Sequence, residues 1–309
     1  MGHEHGHGHG LTPDQALSAG GRYLRRLWIA VGLGGVTFVL QLVVGLLTGS
    51  LALLADSAHV FTDVFGVALA AIAITMAKRA RGRSEHTFGH YRAEVLAALV
   101  NAVLLFGVAG WVLIEAAARF RDPPEVPGLP VIVVAAVGLL LNLASFALLR
   151  RGAKESLNVR GAYLEVLADM LGSFGVLLSG AVIMFTGWPY ADPIIAAAIG
   201  LFVLPRAWRL GRSATHILFQ HAPERLDLAE MNLTLAGLPQ VTDVHDLHVW
   251  TLTSGMEVAS AHLTTTAEAD PSEVLASAQQ VLSERFAIEH ATLQLETDGS
   301  SGACHDLSW

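Results

Sequence analysis

The sequence predicts an α-helical membrane protein in which six transmembrane helices are followed by a small cytosolic α+β domain. Three observations lead there. Of the 309 residues, 53% are hydrophobic and only 15% charged, and a mean hydropathy of +0.51 belongs to chains that reside in lipid. Six apolar runs approach the roughly 20 residues a helix needs to cross the hydrocarbon. After Arg212 the composition changes to that of an ordinary soluble domain. The expected divisions are a flexible His-rich N-terminus over 1–22, a transmembrane domain over 23–212, a soluble domain over 213–297 and a flexible tail over 298–309.

The first run, Leu27 to Leu47, meets the second, Leu51 to Ala77, through the turn Thr48-Gly49-Ser50. The third and fourth are Ala93 to Ala118 and Leu129 to Leu149. Gly187-Trp188-Pro189-Tyr190 links the fifth, Gly161 to Thr186, to the sixth, Pro193 to Trp208. Both short loops fall on one side. Basic residues crowd the other: Arg22, Arg25 and Arg26, then Lys78, Arg79, Arg81, Arg83 and Arg92, then Arg150, Arg151, Lys154 and Arg160, and finally Arg206, Arg209 and Arg212. The side of the short loops carries only Arg119 and Arg121, diluted by Asp122 and Glu125. The positive-inside rule therefore predicts a multi-pass protein, as in a bacterial inner membrane, with both termini in the cytoplasm. No cleavable signal peptide is expected. Gln41, Asn101 and Asn142 read as polar glue between helices.

Beyond Arg212, Glu224 to Leu235 has helical spacing and stops at Gly237-Leu238-Pro239. Val241 to Leu252 and Glu257 to Thr265 read as strands about the turn Thr253-Ser254-Gly255. A second helix runs from Pro271 to Phe286 with Asp270 as its N-cap, and Thr292 to Glu296 is a third strand. The order αββαβ implies a small sheet covered by helices. The net charge of −8 is segregated along the chain and supports no nucleic-acid partner, and the single cysteine excludes an internal disulfide.

The chemistry sits inside the apolar runs. His59 with Asp63, and Glu165 with Asp169, are each spaced i, i+4, which stacks both members on one helix face. A charged group near the bilayer centre costs roughly 2.5–3.5 kcal/mol even on the lenient insertion scale, so four such groups need a compensating partner. A divalent cation supplies it: one imidazole and three carboxylates make an acceptable set for tetrahedral zinc, hard enough for exchange rather than storage. The same groups bind protons, so metal and protons compete for them. The bland alternative is that these residues only bind helices together or line water. Asp56, seven positions before Asp63, reads as a water-exposed helix-end residue or as a lining of the same path.

The segments Ser50-Leu-Ala-Leu-Leu-Ala-Asp-Ser-Ala-His59-Val-Phe-Thr-Asp63, Thr87-Phe-Gly-His-Tyr-Arg-Ala-Glu94, Leu157-Asn-Val-Arg-Gly-Ala-Tyr-Leu-Glu165-Val-Leu-Ala-Asp169 and His245-Asp-Leu-His-Val-Trp-Thr-Leu-Thr-Ser-Gly255 resemble the cation diffusion facilitator family, in particular its cobalt-zinc-cadmium resistance branch. The resemblance covers nearly the whole chain. It implies a homodimer of six-helix protomers with a metallochaperone-like C-terminal domain, exporting zinc, with cadmium and cobalt as further substrates, in exchange for protons. Many members carry His where this chain has Glu165, a harder donor that widens the metals the site accepts.

The resemblance also implies a regulatory or dimer-stabilising zinc site at His245, His262 and Glu296. His248, read onto the same face as His245, is an alternative ligand. His86 and His90 are candidates for a loop site, and Cys304, His305 and Asp306 form a tail cluster. The alternating His3, His5, His7 and His9 make a compositional metal-binding tract. Two rivals remain: a membrane metalloprotease, which the missing His-Glu-x-x-His helix argues against, and a metal sensor that binds without transporting.

Overall fold

The computed structural model describes the backbone of residues 13–79, 91–150, 157–253 and 255–297, and side chains over 28–66, 68, 92–150, 163–253 and 255–297. The expectations at His3, His5, His7, His9, His86, His90, Cys304, His305 and Asp306 lie outside the described residues. The chain divides into two compact units with a break between Arg212 and Ser213, where the composition changes.

Six long helices come first: α1 Pro13–Thr48, α2 Leu51–Arg79, α3 Tyr91–Arg119, α4 Gly128–Leu149, α5 Leu157–Thr186 and α6 Ala191–Leu218. Over the described residues, five stretches are long and apolar enough to cross a membrane, within α1, α3, α4, α5 and α6. The remaining long helix, α2, has 29 residues and carries Asp56, His59 and Asp63. The first predicted run, Leu27 to Leu47, coincides with the apolar stretch Trp28–Thr48 inside a helix that begins at Pro13, and α6 continues past Trp208 to Leu218. The two tight loops form as the glycines dictate, with Gly49 at φ +69° and Gly187 at φ +68°, backbone that a Cβ resists.

Small and branched side chains fill the helical unit's core, including Leu51, Val112, Val131, Val176, Ile199 and Val203. Large apolar residues such as Leu47, Ile114 and Phe185 face outward, as lipid-exposed positions should. The polar-glue expectation holds for all three amides. Gln41 donates to Asp56, Asn101 donates to the Thr62 carbonyl at 3.3 Å and Asn142 donates to Ser173 Oγ at 3.4 Å.

The second unit contains α7 Leu228–Ala236, β1 Val241–Thr253, β2 Met256–Thr265, α8 Pro271–Phe286 and β3 His290–Thr297, the predicted αββαβ order. α7 begins at Leu228 rather than Glu224, because the Asp227 carboxylate accepts from the amides of Ala229 and Glu230 and fixes the N-cap there. Asp270 caps α8 as expected, accepting from Ser272 N. The sheet order is β1-β2-β3, with β1 and β2 antiparallel and β3 parallel to β2 after the α8 crossover. Met231 and Leu235 of α7 and Val274, Ala278 and Leu282 of α8 pack against Val244, Ala259 and Leu263 of the sheet.

Candidate metal centres

On α2, His59 and Asp63 point to one face, with His59 Nδ1 3.5 Å from Asp63 Oδ2. From α5, Asp169 Oδ1 comes within 3.9 Å of His59 Nε2. The three side chains can each offer one ligand atom within 4.8 Å of the others, a spacing that a shared cation would close. His59 and Asp169 are buried, at 3% and 6% exposure. Both His59 nitrogens, Asp63 Oδ2 and Asp169 Oδ1 lack a hydrogen-bond partner. Buried polar atoms are satisfied in the great majority of cases, so a convergent group of unsatisfied donors and acceptors could hold an ion. A cavity lined by Asp63, Asn142, Ser145, Glu165 and Asp169 lies alongside.

Glu165, the fourth expected ligand, stands apart from this trio. Its carboxylate is in an ion pair with Arg206 of α6, and the same Arg206 Nη2 donates to Asp63 Oδ1 at 2.8 Å. Sequence reasoning counted Arg206 among the flanking charges that set orientation. The missed signal was its place one residue after Pro205 inside α6, still within helical reach of the other spans.

Asp56 overturns the water-exposed reading. It is fully buried, and its Oδ2 accepts from Gln41 Nε2 at 2.6 Å and Ser173 Oγ at 3.1 Å. Helices α1, α2, α4 and α5 thus share one polar cluster built from Gln41, Asp56, Asn142 and Ser173. A second buried acid, Asp192 at the start of α6, escaped the sequence reading altogether. Its carboxylate accepts from Ser50 Oγ at 2.6 Å, Leu51 N at 2.7 Å and Ala52 N at 3.3 Å, so it caps α2 from another helix. Arg119 adds charge balance 3.6 Å away and donates to the Gly49 carbonyl.

In the soluble unit, strand register sets His245 opposite His262, and Glu296 enters from β3 beside Thr264. His245 Nε2 lies 3.4 Å from Glu296 Oε2 and His262 Nδ1 lies 3.2 Å from Glu296 Oε1. The ligand atoms of all three again fall within 4.8 Å of one another. Two imidazoles and a carboxylate suit zinc with one further position to fill. His248 is not drawn in. It is three positions along from His245, a spacing that alternation along a regular strand does not align, and it is mostly exposed and pairs with Asp246 at 2.8 Å. The ladder is irregular between His245 and His248, where Asp246 adopts φ +52°. That bend leaves Asp246 Oδ2 3.8 Å from His262 Nε2, so the sequence reading missed this carboxylate beside the trio.

Comparison with known proteins agrees with both units. Residues 27–219 match the cation efflux transmembrane domain and residues 223–298 the cytoplasmic domain of cation efflux proteins. The chain is 45% identical over 273 residues to the metal cation efflux system protein CzcD of Cupriavidus metallidurans, covering 88% of this chain and 86% of that one. It is 38% identical over 308 residues to the zinc transporter ZitB of Escherichia coli, covering 99% and 96%. With the cadmium, cobalt and zinc/H(+)-K(+) antiporter of Bacillus subtilis it shares 34% over 268 residues, covering 84% and 85%. Among solved structures, the metal-bound C-terminal domain of the CzcD transporter is 39% identical, spans 23% of this chain and 99% of its own, and superposes with a TM-score of 0.23. With both of its domains matched along most of its length, the chain belongs to the cation efflux family, a family of membrane metal transporters and not of enzymes.

Proposed function

We propose that this protein exports zinc from the cytosol, with cadmium and cobalt as further substrates, in exchange for protons. The observation that carries the reading is the cluster of buried, unsatisfied ligand atoms of His59, Asp63 and Asp169 between α2 and α5. The metal arrives from the cytosolic side, is held by these three with Glu165 as the fourth ligand, and leaves on the other side as protons take its place. The basic loops support cytoplasmic termini, and tilting of packed helices about the site supplies alternating access.

The His245, His262 and Glu296 site takes a regulatory zinc in a homodimer, with the soluble domain biasing the transport equilibrium when loaded. Its donor set fits zinc, and the ligand atoms of the three residues lie within 4.8 Å of one another. His3, His5, His7 and His9 gather metal near the cytosolic mouth. Shortening the chain by that tract is expected to weaken transport without abolishing it.

Zinc uptake into proteoliposomes with an imposed pH difference tests the reading. Asp63→Ala and Asp169→Ala proteins that fold normally should lose uptake. Uptake at the parent rate by either variant contradicts the assignment, while zinc binding without flux in the parent identifies a sensor.

A further inference from the structure

A cationic group beside the proposed transport site belongs to the protein itself. Arg206 bridges two acids from different helices, Asp63 of α2 and Glu165 of α5, with one guanidinium nitrogen. It is three-quarters buried as a side chain, and Asp63 more so. The bridge claims Asp63 Oδ1, while Oδ2 of the same carboxylate faces His59. It also occupies the carboxylate of Glu165, which is not one of the three residues whose ligand atoms already converge.

A guanidinium is permanently charged and forks naturally between carboxylates. In a low-dielectric interior it is therefore a standing competitor for any other cation that needs the same oxygens. The helix that carries it has a weak point next to it. Pro205 cannot donate the backbone bond to Leu201 that a helix interior normally makes, so α6 can bend where its arginine is attached.

We propose that Arg206 is a tethered counter-cation that competes with the divalent ion for Asp63 and Glu165, weakening metal binding so that the ion can be released. The guanidinium holds the two acids when the site is empty, and gives up Glu165 when the metal enters. Its return to the same oxygens favours the metal's departure. Arg206 is thus a positioning residue, acting on the ligands rather than on the metal. The inference rests on His59, Asp63 and Asp169 holding the transported ion.

The experiment is zinc binding to the detergent-solubilised full chain, with the transport site defined as the binding lost in Asp169→Ala, alongside zinc flux in proteoliposomes. Arg206→Gln and Arg206→Met are both made, the latter keeping an apolar stem should the amide fold poorly. Either variant is expected to lower the Kd at this site by about tenfold, the factor that ~1.4 kcal/mol produces, and to lower maximal flux and KM together. Glu165→Gln should raise the Kd less in the parent, where Arg206 already competes for that carboxylate, than when added to Arg206→Gln, an inequality that a merely loosened protein would not produce. A folded Arg206 variant whose Kd is unchanged or raised overturns the proposal, and so does a double variant that stays as tight as Arg206→Gln. If Asp169→Ala removes no zinc binding from the parent, it is the transport-site assignment that fails, a result separable from the Arg206 comparison.

Discussion

Asp56 and Gly172 illustrate how much a single residue can fix. A Cβ placed on Gly172 would stand 2.4 Å from Asp56 Oδ1, so α5 has a glycine where the carboxylate of α2 presses against it. Overpacking of this kind typically costs about 1–3 kcal/mol. Gly172→Ala is expected to lower the melting temperature and to impair flux, read by thermal unfolding in detergent and by proteoliposome uptake. A protein with parental stability would show that Asp56 has room to move. The proposed ligands set a second expectation. His59, Asp63 and Asp169 must shed protons to bind metal, so zinc affinity at this site should fall as pH falls, and acid on the receiving side of a proteoliposome should speed release.

At the scale of elements, the informative joints are the helix ends. The first amides of α2 are satisfied partly by Ser50 Oγ, which accepts from Leu53 N, and partly by Asp192 of α6, which accepts from Leu51 N and Ala52 N. Removing one partner from a buried hydrogen bond costs about 1–3 kcal/mol because the other is left unsatisfied. Asp192→Ala, which strands Ser50 and two amides at once, is expected to destabilise the helical unit more than Asp192→Asn, as thermal unfolding will show. In the soluble unit the cap is local. Asp270→Ala should cost about 0.5–2 kcal/mol, measurable by denaturant unfolding of that unit within the full chain.

For the whole molecule, two ligand clusters in separate units predict separable effects. His262→Ala with Glu296→Ala should abolish a zinc-dependent rise in the melting temperature of the soluble unit, while Asp169→Ala should leave that rise intact. Much of this was legible in the sequence. The helical runs, the αββαβ order, the Asp270 cap and the family all follow from apolar length, alternation and motif. That His59 and Asp63 share one face of α2 was readable because i, i+4 spacing maps directly onto a helix face. Partnerships between helices far apart in sequence were not: nothing local reveals that Asp192 caps α2, that Asp56 is buried against α1 and α5, or that Arg206 turns inward. Helix boundaries such as Leu228 also moved, because a capping carboxylate outweighed apolar periodicity. The carboxylate lodged against the bare backbone of Gly172 has a mechanical consequence. Because Asp56 Oδ1 fills the space that a side chain on Gly172 would take, α2 and α5 are expected to pivot about this point, in a scissoring motion, when the region around His59 opens.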